Sequence, residues 1–296
     1  MDEKGFKMSK SLGNVVAPED VTKQYGADIL RLWVAQTDFT ADQRLGPEIL
    51  KGVADSYRRL RNTLRFMLGN LAGFDEAERV APEDMPELER WVLHRLAELD
   101  RDVREGYARF DYDGVVQKLF HFCTVDLSAV YFDIRKDALY CDPADGLRRR
   151  ACRTVLDLLF HRLATWLAPI LVFTMEEVWL SRFPGEAESV HLRDFPETPE
   201  AWLAPELAAR QARLREVRRV VTGALEIERR EKRLGASLEA APVIHVEDPA
   251  LRAEVEAAGF ADLCIASAVE VTGAEAPSDA FRLDDVPGVA VVPARA

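Results

Sequence analysis

The 296-residue sequence has few cysteines and no long apolar run. Its four cysteines are scattered and none forms a C-x-x-C pair, so their spacing indicates neither a zinc knuckle nor a disulfide scaffold. No stretch of about 18 apolar residues occurs, and we expect no membrane helix. The opening Met-Asp-Glu-Lys does not resemble a secretory signal. We therefore expect a cytoplasmic chain with reduced, mostly buried thiols.

The chain also lacks a basic domain. Its net charge is −12, and acidic side chains outnumber basic ones in each of three successive segments of the sequence. The numbers of basic and acidic side chains are 6 and 7 in residues 1–45, 21 and 28 in residues 46–200, and 12 and 16 in residues 201–296. This balance argues against bulk adhesion to nucleic acid, so any RNA binding must depend on local basic patches.

Apolar residues at intervals of three or four predict a series of amphipathic helices joined by short links, which is typical of an antiparallel bundle. Asp113 is the predicted N-cap of one of these helices, and Gly235 is the predicted C-cap of the last. The predicted helices span residues 18–38, 47–72, 87–107, 113–139 and 145–167, a short stretch after Pro169, and 206–234.

In the last part of the sequence, the spacing of apolar residues is no longer that of a helix. Residues 243–246, 263–266 and 289–292 predict short strands, with a helix at 248–258. The predicted fold is therefore mainly α: an antiparallel helix bundle, preceded by a small segment and followed by a small α/β region. The predicted domains are residues 1–45, 46–200 and 201–296.

Two lysines near the start of the chain suggest a site for phosphate. Lys7 and Lys10 lie three residues apart on a short polar stretch between two glycines, and Ser9 and Ser11 add hydroxyl groups. A mobile cationic loop of this kind can stabilise the negative charge of phosphate oxygens during phosphoryl or nucleotidyl transfer. Lysine supplies that charge as a compact, flexible point. Lysine pairs are common on loops, however, and the spacing by itself more often marks an ordinary solvated loop.

Arginines form two clusters. Arg58, Arg61 and Arg65 share one face of the helix predicted at 47–72, which favours a stripe that contacts phosphate groups. The alternative is a solvated face paired with acids elsewhere. The second cluster is Arg148, Arg149 and Arg150 with Arg153, near the N-terminus of the helix predicted at 145–167. Positive charge is slightly unfavourable there with respect to the helix dipole, which hints at an external anion.

The residues around the lysine pair carry a family resemblance. Lys7-Met8-Ser9-Lys10-Ser11 is identical to the KMSKS signature of class I aminoacyl-tRNA synthetases, and the residues that follow resemble the subgroup for branched aliphatic amino acids. Leu12 and residues 28–35, Asp-Ile-Leu-Arg-Leu-Trp-Val-Ala, are similar to the isoleucyl branch, whereas valyl and leucyl enzymes more often carry lysine at the position of Leu12. Further similarity lies in residues 57–71, 123–140, 167–179, 188–196 and 221–238.

This resemblance implies the ATP-dependent ligation of isoleucine to its tRNA through an acyl-adenylate. Lys7, Met8, Ser9, Lys10 and Ser11 would bind ATP, and Lys7 and Lys10 would be the catalytic pair, with Lys10 the stronger assignment. Mg²⁺ is implied by the chemistry, but no residue is assigned as a metal ligand. The first 45 residues would be the lysine loop and stem-contact segment, and the bundle would bind the anticodon arm. The candidate tRNA contacts are then Arg58, Arg61, Arg65, Arg148, Arg149 and Arg150.

Other parts of such a synthetase are not found in the sequence. There is no HIGH signature, no Rossmann series before the lysine pair, no editing domain and no zinc-binding cysteine pairs at the end. We expect a monomeric C-terminal fragment, running from the KMSKS loop through the anticodon-binding domain, that is inactive alone. A free-standing tRNA-binding helical module and a fragment of a valyl-type synthetase are the alternatives. Leu12 and residues 28–33 argue against the second.

Overall fold

The computed structural model describes residues 1–296 and divides them into two compact units, residues 1–203 and 204–296. This division lies close to the domain boundary predicted after residue 200. The boundary predicted after residue 45 falls inside the first unit, so the three-domain division stays a prediction. None of the helices is both long and apolar enough to cross a membrane.

The first unit is helical throughout, which confirms the mainly α prediction. The helices predicted at 47–72, 87–107 and 145–167 are present with bounds within about two residues, the usual uncertainty of helix ends. The helices of this unit are α1 (Pro18–Tyr25), α2 (Ala27–Ala35), α3 (Pro47–Asn70), α4 (Glu87–Ala108), α5 (Tyr112–His121), α6 (Asp133–Tyr140), α7 (Leu147–Leu167) and α8 (Val172–Arg182).

The prediction of a single helix at 18–38 is wrong, because the chain forms two separate helices, α1 and α2. Gly26 lies between them with φ +87° and ψ 163°, a backbone conformation that residues with a side chain rarely adopt. The break turns α2 so that Ile29 and Leu32 are buried. Helix α1 therefore ends at Gly26, and α2 begins as a new helix after it.

The helix predicted at 113–139 is continuous from residue 112 to 140, but its middle is not α-helical. Residues Phe122–Phe132 form a π-helix between α5 and α6. Within it, the Ser128 hydroxyl donates to the carbonyl of Cys123, five residues earlier, at 2.8 Å. The predicted N-cap is also wrong: Asp111, not Asp113, accepts a hydrogen bond from the Gly114 N–H at 3.0 Å. A π-helical stretch of this length is unusual.

The core of the bundle contains large apolar side chains and one buried ion pair. Trp91 and Trp166 are buried in it. The Arg135 guanidinium donates to both carboxylate oxygens of Glu89, at 2.6 and 2.7 Å, and the Tyr131 hydroxyl donates to the same carboxylate at 3.2 Å. Both charged side chains, Glu89 and Arg135, are buried.

Three of the four cysteines are buried, which agrees with the prediction of mostly buried thiols. Cys123, Cys152 and Cys264 lie inside the protein, and Cys141 is exposed at the end of α6. Burial raises the pKa of each of the three enclosed thiols to about 12.

The second unit combines helices with a small sheet. Its strands are arranged in the order β2-β1-β3, with β1 parallel to β2 and antiparallel to β3. The α/β prediction for this region is therefore confirmed. Its elements are α9 (Pro205–Arg230), β1 (Val243–Val246), α10 (Pro249–Ala257), α11 (Phe260–Cys264), β2 (Glu270–Thr272) and β3 (Val289–Val292).

Two details of the second unit differ from the prediction. Residues 263–266 do not form a strand, because α11 extends through Cys264 and Ile265 then takes a left-handed φ of +56°. Gly235 is not the C-cap of the long helix, which ends at Arg230; Lys232 instead takes the left-handed conformation, with φ +60°. Gly235 lies beyond the turn, where its N–H donates to the Glu239 carboxylate.

Candidate functional site

Residues 7–12, called the lysine loop, present two unpaired ammonium groups. Lys10–Leu12 form one 3-10 turn that ends at Gly13, whose φ is +65°. The Ser9 hydroxyl accepts from the Leu12 N–H at 3.3 Å and lies 3.1 Å from the Ser11 hydroxyl. Lys7 and Lys10 are exposed, and neither side chain makes an ion pair or a hydrogen bond. Both charges are therefore available to an anionic ligand.

Asn14 and Asp2 hold the base of the lysine loop, and sequence reasoning missed both. The Asn14 amide oxygen accepts from the Ser9 N–H at 2.9 Å, while its NH₂ group donates to the Asp2 carboxylate at 2.9 Å and to the Lys7 carbonyl at 3.3 Å. Asp2 also accepts from the backbone N–H groups of Lys4 and Phe6. The hydrogen bond from Asn14, followed by that from Phe6, lowers the pKa of Asp2. The sequence signal that could have indicated Asn14 is its position directly after Gly13, the glycine at the turn.

Helix α2 is attached to the bundle by two polar side chains. The buried Asp28 carboxylate accepts from the Thr174 N–H at 2.7 Å and from its hydroxyl at 2.6 Å, which caps the N-terminus of α8. The Arg31 guanidinium donates to the carbonyls of Pro169 and Ile170, at 2.7 and 2.9 Å. These contacts fix the segment that carries the lysine loop to the loop between α7 and α8. Sequence reasoning used both residues only as family markers.

A further contact joins the start of the chain to α3. The Glu3 carboxylate accepts from the N–H groups of Glu48 and Ile49, at 2.6 and 3.2 Å. Helix N-termini leave such donors unpaired, and a carboxylate is favoured there by the helix dipole. Residues 1–14 are thus anchored at a helix end of the bundle.

The structure brings Arg58, Arg61 and Arg65 to one exposed face of α3, although their availability differs. Arg58 pairs with Asp55 of the same helix, and Arg61 lies 3.7 Å from the Glu177 carboxylate of α8. Arg65 is exposed and has no partner. Surface pairs of this kind contribute about 0–1 kcal/mol, so an RNA phosphate can displace them. Arg65 is the strongest candidate contact of the three.

The second arginine cluster is engaged inside the first unit. Arg148 donates to the Asp142 carboxylate at 2.7 and 2.8 Å, and Arg149 donates to the Asp142 carbonyl at 2.9 Å. Arg150 donates to the carbonyls of Ala77 and Glu78, at 3.2 and 3.1 Å. These internal acceptors account for the clustering without the external anion at which its position in the helix hinted. A tRNA contact by these three residues stays a prediction and now has less support than Arg65.

No group of three or more histidine, cysteine, aspartate or glutamate side chains is arranged to hold a metal ion. We therefore offer no residue of this chain as a ligand for Mg²⁺. The site consists of the lysine loop, the Asp2 and Asn14 side chains beneath it, and the basic face of α3.

Two family models match this chain. Residues 89–245 match the family model described as "Anticodon-binding domain of tRNA ligase", and residues 1–46 match the model of "tRNA synthetases class I (I, L, M and V)". The chain belongs to the family of anticodon-binding domains of tRNA ligases.

Its curated relatives are named isoleucine--tRNA ligases. The protein of Ruegeria pomeroyi is 68% identical over 293 residues, which cover 99% of this chain and 30% of that protein. The protein of Agrobacterium fabrum is 58% identical over 291 residues, covering 98% and 30%, and that of Brucella abortus is 56% identical over 296 residues, covering 100% and 30%. The chain thus spans about a third of the length of these relatives.

A solved structure supports the fold. The leucyl enzyme of Agrobacterium radiobacter K84, crystallised as a ternary complex with tRNA and LeuAMS, matches 69% of this chain and 24% of its own. The TM-score is 0.51 and the sequence identity is 22%. At this level of identity the likeness concerns the fold alone.

Proposed function

We propose that this chain is the segment of an isoleucine--tRNA ligase that supplies the lysine loop for amino-acid activation and the bundle for binding the anticodon arm of isoleucine tRNA. One observation carries the proposal. The unpaired ammonium groups of Lys7 and Lys10 lie on a loop that Asp2 and Asn14 hold in place. Asp28 and Arg31 attach the segment that carries this loop to a bundle of the anticodon-binding family. ATP and isoleucine are the substrates of the whole ligase, which we propose to be a cytoplasmic monomer.

Lys10 and Lys7 act on the triphosphate of ATP. As the isoleucine carboxylate attacks the α-phosphorus and pyrophosphate leaves, negative charge grows on the phosphate oxygens, and the two ammonium groups of this one short loop stabilise it. The hydroxyls of Ser9 and Ser11 lie 3.1 Å apart and can donate to the same oxygens. Met8 completes the loop that we assign to ATP. Mg²⁺, the usual partner of a transferring triphosphate, supplies further charge neutralisation when bound.

The bundle would bind RNA through a few local contacts. The chain is acidic, so an exposed arginine such as Arg65 provides positive charge where the rest of the surface repels phosphate. Arg61 and Arg58 extend the same face. This arrangement favours selective binding with weak non-specific affinity.

The test is binding of this chain to isoleucine tRNA and valine tRNA transcripts, measured in parallel across a salt series. We expect the preference for the isoleucine transcript to survive at physiological salt. Arg65→Ala should weaken binding to both transcripts and reduce the slope of log K against log salt by about 1. Arg101→Ala, which removes an exposed and unpaired arginine of α4, is the matched control and should leave both slopes unchanged.

Equal and steeply salt-dependent binding to the two transcripts would contradict the assignment of isoleucine tRNA to this bundle. It would mean that the basic face contacts only phosphate, without discrimination. Tighter binding to the valine transcript would instead favour the valyl-type alternative.

A further inference from the structure

Asp2 and Asn14 form a side-chain bracket across the base of the lysine loop. Asn14 uses both ends of its amide: the oxygen accepts from the Ser9 N–H at 2.9 Å, and the NH₂ group donates to the Asp2 carboxylate at 2.9 Å and the Lys7 carbonyl at 3.3 Å. Asp2 is itself held by the N–H groups of Lys4 and Phe6, at 3.0 and 2.8 Å. The bracket therefore closes residues 2–14 into a ring.

Both lysines lie within this ring, and the side chain of neither makes an ion pair or a hydrogen bond. Lys7 is held through its own carbonyl. Lys10 begins the 3-10 turn that Ser9 caps, and the backbone N–H of Ser9 is the group that Asn14 fixes. One amide thus bonds the backbone of Lys7 and that of Ser9, the residue before Lys10, while both ammonium groups stay free.

We propose that Asn14 is a positioning residue for adenylate formation, which holds Lys7 and Lys10 together in the geometry that the triphosphate requires, and that Asp2 orients its amide. This inference rests on the proposed function. Its physical basis is preorganisation of the loop backbone: lysines that start from a fixed backbone need less reorganisation to reach the phosphate as its charge develops, and a misplacement of about 1 Å can lower a rate by about 100-fold.

The chemistry of the bracket requires an amide. Asn14→Asp keeps the shape and the acceptor but loses the donor, and it places a second carboxylate against Asp2. Asn14→Ala removes both functions. Asn14 is only partly buried and lies outside the bundle core, so neither substitution disturbs the apolar packing. Asp38→Ala is the matched control, because Asp38 is also a loop carboxylate that accepts from a nearby N–H, that of Thr40, but it has no contact with the lysine loop.

The first measurement uses this chain and follows amide hydrogen exchange by NMR. A hydrogen bond with a net contribution of about 1.4 kcal/mol corresponds to about tenfold in exchange, so Asn14→Ala, which removes the acceptor, should speed exchange at the Ser9 N–H by about that factor. Asn14→Asp keeps this acceptor and should change the exchange of the Ser9 N–H less. The amides of α3 and the urea unfolding midpoint should not change. Asp38→Ala should leave the Ser9 amide as it is. An unchanged rate of exchange at the Ser9 amide in Asn14→Ala overturns the inference by itself.

The second measurement uses the full-length Ruegeria pomeroyi ligase, with its matching 293-residue segment replaced by the residues of this chain. In isoleucine-dependent pyrophosphate exchange, Lys10→Ala should lower kcat by about 100-fold or more. Asn14→Ala and Asn14→Asp should lower kcat by about 10- to 100-fold without changing KM for isoleucine. The loss in kcat caused by Asn14→Ala should be smaller in the Lys10→Ala background than in the parent, because only Lys7 is then left for Asn14 to position.

The outcomes separate the inference from the proposed function. If Lys10→Ala leaves exchange unchanged, the role of the lysine loop fails. If Lys10→Ala slows exchange while both Asn14 variants match the parent, the positioning role fails and the proposed function stands. Additive losses in the double variant would also overturn it, because they would show that Asn14 acts independently of Lys10.

Discussion

Glu89 and Arg135 place opposite charges inside the bundle, where water cannot solvate either. The relative exposure of their side chains is 0% and 8%. Two charge-assisted hydrogen bonds join them, and the Tyr131 hydroxyl uses a further lone pair of Glu89. Removing two charges from water is expensive, so such a pair need not be more stable than an apolar pair of similar size. Removing one partner alone should destabilise the protein strongly, because it leaves an uncompensated buried charge.

We expect Arg135→Met to lower the free energy of unfolding by about 3–5 kcal/mol, because the Glu89 carboxylate remains buried without its cation. The double variant Glu89→Leu, Arg135→Met should recover most of that loss. Urea unfolding followed by circular dichroism measures both. A double variant as unstable as Arg135→Met would show that the packing of the arginine stem, and not the stranded carboxylate, dominates.

At the scale of secondary-structure elements, Gly26 determines where α1 ends and α2 begins. An added Cβ at this position would meet no atom within 4 Å, so a substitution changes only the backbone strain. Gly26→Ala should therefore destabilise the protein by about 1–3 kcal/mol. Gly52→Ala is the control: this residue also has open space around it but lies inside α3, where alanine should stabilise by up to about 1 kcal/mol. Thermal unfolding of the two variants tests the prediction, and shifts in the same direction would contradict it.

The sequence predicted most elements, because a buried helix face repeats every three to four residues whatever its neighbours are. The π-helical stretch 122–132 was missed because its apolar residues still follow a helix-like spacing. Residues 263–266 were misassigned because a short apolar run does not distinguish a strand from a helix end. For the site, the signature string indicated Lys7 and Lys10. The bracket from Asp2 and Asn14 could not be predicted, because it depends on how a loop closes over 12 residues.

At the scale of the whole molecule, what this chain can do alone follows from its folds. Its two units are a helical bundle and a three-stranded mixed sheet with a single parallel pair of strands. Neither provides the parallel α/β sheet in which nucleotides bind at strand ends. In the proposed function the lysine loop stabilises phosphate charge, and the sheet that would hold the nucleoside is not one of these two folds.

We therefore expect no isoleucine-dependent pyrophosphate exchange from this chain alone, even under conditions in which it binds tRNA. The assay follows radiolabelled pyrophosphate entering ATP with and without isoleucine, and the full-length hybrid ligase is the positive control. Isoleucine-dependent exchange above the background would contradict the prediction and would require an amino-acid site within the two units.

The distribution of the cysteines has a practical consequence. Three thiols are enclosed and, with pKa values raised to about 12, stay protonated at neutral pH, whereas Cys141 is exposed at the end of α6. A thiol-reactive dye added to the native chain is therefore directed to a single position on the bundle, without mutagenesis. The unsubstituted protein thus has a built-in attachment point for a fluorescent reporter, with which RNA binding can be followed.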